Sequence, residues 1–187
     1  MIFDLIKDRR SVFPDQYVDI PISKEDLDQI LEAANWAPSH KKTEPWRFKV
    51  MQGESKERLG TFLSAKYQEV EERPKQVKIK KLKENPTKSA VVIAICMQRD
   101  PNGSVPEWEE VAAVAMAVQN MWLSCTEIGI GCYWSSPGLI TYMDEFFDLA
   151  EGEKCLGFLY MGFFEGELAI GQRNPIKDKV VWLDQLK

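Results

Sequence analysis

Trp108-Glu-Glu-Val-Ala-Ala-Val-Ala-Met-Ala-Val-Gln-Asn-Met-Trp-Leu-Ser-Cys-Thr-Glu-Ile128 is the stretch on which the fold turns. Wound as a helix it is apolar nearly all round, so it must be buried at the centre of something rather than lie on a surface. Either the chain's own core or an interface with a second copy would serve. The helix opens near Pro106-Glu107, and Gly129 and Gly131 end it. Its most apolar part, Val111 to Cys125, is interrupted by Gln119 and Asn120 and falls short of the roughly 20 residues that a bilayer span needs.

The segments around this helix read as strands and shorter helices. Ala90-Val-Val-Ile-Ala-Ile-Cys-Met97 is brief and uninterrupted, as a strand covered on both faces must be. Trp46-Arg-Phe-Lys-Val-Met51 alternates like a half-buried strand, and Cys155-Leu-Gly-Phe-Leu-Tyr-Met-Gly162 predicts a third. Ile2, Phe3, Leu5 and Ile6 share one helical face. Ser23-Lys-Glu-Asp26 is a capping box with Asp for Glu, and Leu27, Ile30, Leu31 and Ala34 then recur at helical spacing. That helix must stop before Pro38, because a residue preceding proline is pushed out of the helical region. Ser55 caps a further helix carrying Leu59, Phe62, Leu63 and Tyr67, and Thr141 caps a short one through Phe146-Phe147.

Tyr133-Trp134 leads into a turn, Ser135-Ser136-Pro137-Gly138. Charge crowds the segment 69–86, which reads as a solvated, mobile helical excursion rather than a partner surface. The tail from Phe163 to Lys187, with Val180-Val-Trp182 near its end, is too long and too apolar to hang free, and should dock on the body or on a second subunit. There is no internal repeat. Strands set among longer helices indicate an α+β or three-layer sandwich, a single domain over 1–187.

Composition narrows the function. The 187 residues carry 24 Lys+Arg against 29 Asp+Glu, a formal charge of −5 that argues against nucleic acid or anionic membrane as partner. The four cysteines, Cys96, Cys125, Cys132 and Cys155, form no C-x-x-C pair, and His40 is the one histidine, so a metal site is not expected. A reduced, cytoplasmic setting follows. No G-x-G-x-x-G after a strand, Walker loop, G-x-S-x-G elbow or H-E-x-x-H is present.

What remains are anion-binding and stacking groups. Arg9-Arg10-Ser11 sets two guanidinium groups and a hydroxyl at a helix-to-loop junction, suited to a phosphate or, more plainly, to the helix dipole. The loop Ala37-Pro-Ser-His-Lys-Lys-Thr-Glu-Pro-Trp46 is dense in hydrogen-bonding side chains, whether as a ligand loop or as a solvated connector. Trp134-Ser135-Ser136 joins an aromatic to two hydroxyls beside glycines, which suits a flat, polar-edged ring or simply a core Trp next to a turn. Arg173, two residues before Pro175, is an isolated cation in the tail.

In this order the four segments resemble the FMN-dependent nitroreductase family, whose members share R-[RH]-S near the N-terminus, a second helix ending in A-P-S, and then P-W-x-F. The stretches Ala37-Pro-Ser-His-Lys41, Val105-Pro-Glu-Trp-Glu109, Gly129 to Ser136 and Gly157-Phe-Leu-Tyr-Met-Gly162 look like its YdjA-type subgroup of NAD(P)H nitroreductases.

The resemblance implies a three-layer α/β/α sandwich with a mainly antiparallel central sheet and a flavin at a homodimer interface. Arg9, Arg10 and Ser11 would take the phosphate and ribityl end of FMN, with Arg173 reaching the phosphate from the tail. Pro38, Ser39 and His40 would lie against the flavin from the partner subunit, and Trp134, Ser135 and Ser136 would contact it directly. The region from Ser124 to Gly129 would meet the nicotinamide. The apolar helix would then pack against its twin. NADH or NADPH would reduce the flavin at N5 and leave, and a nitroaromatic or quinone would take its place, with no side chain as covalent catalyst. A dehydrogenase, dehalogenase or free-flavin reductase, or a flavin-binding protein without turnover, would share the scaffold. Lys42-Thr-Glu-Pro-Trp46 departs from the family's N-x-Q-P-W, putting the Glu44 carboxylate where an amide is usual.

Overall fold

The structure, a computed structural model, describes residues 1–183; residues 184–187, the end of the tail expected to dock, lie outside it. Five helices, α1 (Ile2–Asp8), α2 (Lys24–Asn35), α3 (Glu54–Val70), α4 (Gln76–Lys88) and α5 (Glu107–Glu127), surround four strands: β1 (Trp46–Met51), β2 (Val91–Gln98), β3 (Ile130–Ser135) and β4 (Glu153–Phe163). The strands form one antiparallel sheet in the order β1-β2-β4-β3.

β2 is the spine of the sheet. Val91 through Met97 are fully buried, and alternate side chains serve opposite cores. Val91, Ile93, Ile95 and Met97 pack with α2 and α5, whereas Val92, Ala94 and Cys96 pack with α3 and the 3-10 segment Gly138–Glu145. Two cores on the two faces of one sheet make the three-layer α/β/α sandwich.

Local signals place several helix ends. Ser23 Oγ accepts the Asp26 N–H at 3.0 Å, and α2 stops at Asn35, ahead of Pro38. The start of α3 differs from expectation. Gly53, at φ 54°, is the capping position, and Ser55 Oγ instead donates to the Gln52 carbonyl. Likewise Thr141 does not cap. The 3-10 segment begins after Pro137, and the Thr141 hydroxyl donates to Gly138 O.

α5 buries only one side. Ala113, Val114, Ala117, Val118, Met121 and Cys125 face the sheet and α2, while Trp108 and Met116 stay 69% and 41% exposed. Within one chain the burial is one-sided, because a sheet and one neighbouring helix cover about half the circumference of α5. Polar residues within it are put to use: Asn120 donates to the Ala33 carbonyl of α2 at 3.2 Å, and the buried Glu110 pairs with Arg99 and accepts the Asp100 N–H. α1 departs further, since no residue of it is buried and Ile2, Phe3 and Ile6 are exposed.

The expected three strands are four. Ile130 to Ser135, taken to run into a turn, pairs with β4 from Ile130↔Phe163 to Ser135↔Phe158. Its partner lies well downstream, and Gly131 weakens its strand pattern. That glycine is required, because a Cβ there would stand 2.7 Å from the Val12 side chain. The outer edge of β3 is covered by the N-terminal segment: Val12 N–H donates to Cys132 O at 3.0 Å and Ser11 bridges Cys132.

On the opposite face the charged segment forms the end of α3 and the returning α4, whose Ile79 and Leu82 pack on the core. The two helices cross so closely that a Cβ on Gly60 would lie 2.3 Å from the Lys83 carbonyl oxygen. Gly60→Ala should therefore force α4 outward and lower the unfolding free energy by about 1–3 kcal/mol, read by urea denaturation; an unchanged midpoint would show that the hairpin is not held at this crossing.

Candidate ligand site

The residues singled out at the N-terminus and in the tail come together at the C-terminal end of α5. The Arg9 guanidinium lies over the Trp122 indole, 4.6 Å from the ring centre, while Trp122 Nε1 donates to the Arg10 carbonyl at 3.1 Å. Burial, followed by the nearby charges of Arg173 and Arg10, holds the Arg9 guanidinium below its ordinary pKa. Three cations thus converge. Among the described residues none of them is paired with a carboxylate.

Their roles differ. Arg10 is spent on the chain itself, donating from Nε to Ala169 O at 3.1 Å and from Nη1 to Arg9 O at 2.9 Å and to Lys7 O. It clasps the end of α1 to the tail, and Gly171 sits where a Cβ would lie 2.4 Å from Arg10 Nη2. Arg173 is exposed, with Nη1 on the neighbouring Gln172 carbonyl at 2.7 Å. Ser11 presents an exposed side chain at the edge of β3.

Trp134 and Ser135 close β3 and are half-buried, and Ser136 is exposed beyond it. Among the described residues three buried side-chain atoms lack a hydrogen-bond partner, Glu110 Oε2, Glu153 Oε1 and Trp134 Nε1, but the two carboxylates are ion-paired to Arg99 and Lys49. Trp134 Nε1 alone of the three has nothing. Leaving a buried donor unmade costs about 1–3 kcal/mol, so such an atom calls for a partner. The indole is admitted by Gly157, whose φ is 150° and whose missing Cβ would meet Trp134 Nε1 at 2.3 Å.

Pro38, Ser39 and His40 lie elsewhere, at the N-terminal end of α5. Together with Trp108, Ala112 and Met116 they line a cleft of about 390 Å³. His40 Nδ1 and Glu109 Oε2 are 2.5 Å apart, and Lys41 Nζ donates to Ser104 O at 2.8 Å. Lys41, Lys42 and Glu44 have φ of 52°, 56° and 41°, a left-handed conformation that side chains resist. Such strain persists only where surrounding structure enforces it, and it clusters at ligand loops.

Glu109 and Trp122 mark the two ends of the arrangement. Thirteen residues at 1.5 Å per residue separate them by roughly 20 Å along α5. The two groups of residues therefore stand apart within one chain. By charge the Arg9 group could take a phosphate. No group of three His, Cys, Asp or Glu able to hold a metal occurs among the described residues. Sequence reasoning missed Trp122 as the platform for Arg9, because an aromatic in a continuously apolar helix carries no signal of its own. It missed Glu109 as the partner of His40 because the two are far apart in the chain.

The nitroreductase family model matches residues 6–163. YdjA from Escherichia coli (strain K12), provisionally named an NAD(P)H nitroreductase, is 32% identical over 140 residues, 74% of this chain and 75% of that protein. A nitroreductase-like family protein from Bacillus cereus has a similar solved structure, with a TM-score of 0.86 at 29% identity over 98% of this chain and 96% of that one. A nitroreductase-type structure from Desulfovibrio desulfuricans, solved in complex with FMN, shares the fold with a TM-score of 0.76 at 22% identity, over 97% and 95% of the two chains.

The Arg10 clasp is testable apart from any ligand. Gly171→Ala should push the Arg10 guanidinium off the Ala169 carbonyl and raise the rate of tryptic cleavage after Arg173 and Lys177 several-fold, with the global unfolding midpoint unchanged; equal cleavage rates in both proteins would mean that the tail is held by other contacts.

Proposed function

The chain belongs to the nitroreductase family, and from that premise we propose that it is an FMN-dependent oxidoreductase that takes electrons from NADH or NADPH and passes them to electron-poor small molecules such as nitroaromatics or quinones. The observation that carries this reading is the convergence of Arg9, Arg10 and Arg173, none of them paired with a carboxylate among the described residues. FMN, when bound, supplies a ring that accepts a hydride from the nicotinamide and returns it to the acceptor, each occupying the same face in turn.

The chain's own residues bind and orient. Arg9 and Arg173 face the phosphate, and Arg10 fixes the end of α1 and the tail so that the other two can converge. Ser11, Ser135 and Ser136 offer hydroxyls to the polar edge of the cofactor, and Trp134 offers the half-buried wall of its indole. Trp122 stacks under Arg9 and excludes water from one side of it. No side chain acts as a covalent catalyst.

The active unit is a homodimer. The outward stripe of α5, with Trp108, Ala115, Met116 and Gln119 exposed, continues into the exposed Ile2, Phe3 and Ile6 of α1 and the Ile170, Ile176 and Trp182 of the tail. Contiguous apolar patches of this kind mark interfaces. If α5 packs antiparallel to its twin about a two-fold axis, the end bearing Pro38, Ser39 and His40 meets the partner's Arg9 end, and two complete sites form from four halves. The setting is cytoplasmic, in keeping with four free thiols, and residues 1–187 act as one domain.

The deciding experiment is an anaerobic visible absorption spectrum of the FMN-supplemented protein before and after NADPH. A bound-flavin spectrum that bleaches is expected. A bound flavin that stays oxidised would favour a binding protein without turnover, for which the Glu44 carboxylate gives a reason, and no bound flavin would remove the assignment. Arg9→Ala should weaken FMN binding about 10- to 100-fold, as loss of a charged hydrogen bond does. Met116→Glu should convert a dimer to a monomer in light scattering and lose FMN with it; a monomeric wild type that holds FMN would refute the shared site.

A further inference from the structure

Cys96 and Cys155 stand opposite one another across the β2–β4 ladder, and a β-bulge puts them there. From Val91↔Met161 to Ile95↔Gly157 the register is regular and would set Cys96 against Leu156. It shifts between Ile95 and Cys96, so that Cys155 takes that place and Leu156 is left over. Because successive side chains point to opposite faces, one extra residue also turns the rest of the strand over. Leu156 therefore packs on the α2 and α5 side, and Cys155 joins Cys96, Phe158 and Tyr160 on the α3 side. Directly opposed residues on one face have Cα atoms about 4.5–5.5 Å apart, inside the range that a disulfide bridges.

We propose that Cys96 and Cys155 are a redox-active dithiol, which a hydroperoxide converts to an intramolecular disulfide with Cys155 as the attacking thiol and Cys96 as the resolving one. Cys155, only 6% exposed, lines a cleft of about 430 Å³ with Ile140, Leu149 and Lys154, whereas Cys96 is fully buried and lines no described cleft. The Cys96 thiol beside it lowers the Cys155 thiol below its ordinary range, helped by the Gly157 backbone and the Lys49 ammonium and opposed by burial and by Glu153, which is paired with Lys49 at 2.8 Å. The same contact raises the Cys96 thiol. Of the two, the thiol that lines the cleft is thus the more acidic, the property that suits the attacking member of a pair.

The chemistry balances without another reactant. Cys155 gives up its thiol proton and its sulfur attacks one oxygen of the peroxide, the O–O bond breaks, and Cys155 becomes a sulfenic acid while the leaving hydroxide or alkoxide takes up that proton and departs as water or alcohol. The Cys96 sulfur then attacks the sulfenic sulfur, the S–O bond breaks, and a second water leaves with the Cys96 proton. Two thiols have lost two electrons, and the peroxide has gained them. The other two cysteines supply an internal comparison. Cys125 and Cys132 also neighbour each other, but both are fully buried and neither lines a described cleft.

The test treats the native protein with hydrogen peroxide, alkylates it after denaturation, and maps its peptides without reduction. A linked pair of peptides carrying Cys96 and Cys155, about 2 Da lighter than the sum of the two free peptides and restored by dithiothreitol, is expected while Cys125 and Cys132 remain alkylated. Cys155→Ser should abolish the link, and Cys96→Ser should leave Cys155 as a sulfenic acid captured by a dimedone probe. Free Cys96 and Cys155 after peroxide, a link between Cys125 and Cys132 instead, or Cys155 going straight to sulfinic acid beside a free Cys96 would each overturn the proposal. The peptide map of the unaltered protein decides the matter even if either variant fails to fold.

Discussion

A strand that water cannot touch on either side imposes the plan of this molecule. Seven consecutive residues of β2 are buried, and each of its faces needs an apolar cover of its own. The chain meets the demand with α2 and α5 on one side and with α3, α4 and the 3-10 segment on the other. The packing on the first side leans on alanines: Ala113 and Ala117 let α5 approach the sheet closely, and Asn120 and Glu110 tie it to α2 and to the end of β2. Once α5 lies flat on the sheet its far side has no cover among the described residues. The exposed stripe is thus a consequence of the same burial that builds the core, and it locates the proposed interface.

Electrostatics follow from where the ends of these elements fall. α1 ends beside the C-terminal part of α5, and the edge of β3 draws the N-terminal segment along it through Val12 and Cys132. Those two facts bring Arg9 onto Trp122. The tail then adds Arg173, held in place by the hydrogen bond from Arg10 to a carbonyl 159 residues away. Gathering like charges without a described counter-ion opposes folding unless an anion joins them, which is the physical content of the proposed cofactor site. One bulge serves two purposes nearby. Gly157 makes room for the Trp134 indole, and the register shift next to it turns Cys155 toward Cys96.

Much of the plan is legible in the residues alone. The uninterrupted apolar run at 90–97, the capping box at Ser23 and the proline at 38 each report a local condition, and the elements they specify stand where expected. The elements that differ share a cause. β3 contains a glycine whose necessity depends on Val12, a residue remote in sequence, and α1 presents an apolar face that no described residue of the chain buries. A pattern of hydrophobic residues says that burial is needed, but it does not say which surface provides it. At the site, Arg9, Arg10, Ser11 and Arg173 could be picked out by residue type and order, whereas Trp122 and Glu109 could not, because a stacking platform and a hydrogen-bond partner are defined by what lies across from them.

The sequence by itself determined the helices and three of the four strands, the two-sided burial of β2, and the set of cations and aromatics available for a ligand. Only the tertiary structure decided that β3 pairs with β4, that Arg173 returns to Arg9, that the loop at Pro38 and the cluster at Arg9 stand at opposite ends of α5, and that Cys96 faces Cys155 rather than Leu156. The division has a physical reason. Local periodicity and capping depend on neighbours within a few residues, which the chain cannot separate, while register, bulges and charge clusters depend on segments brought together only after long loops have closed.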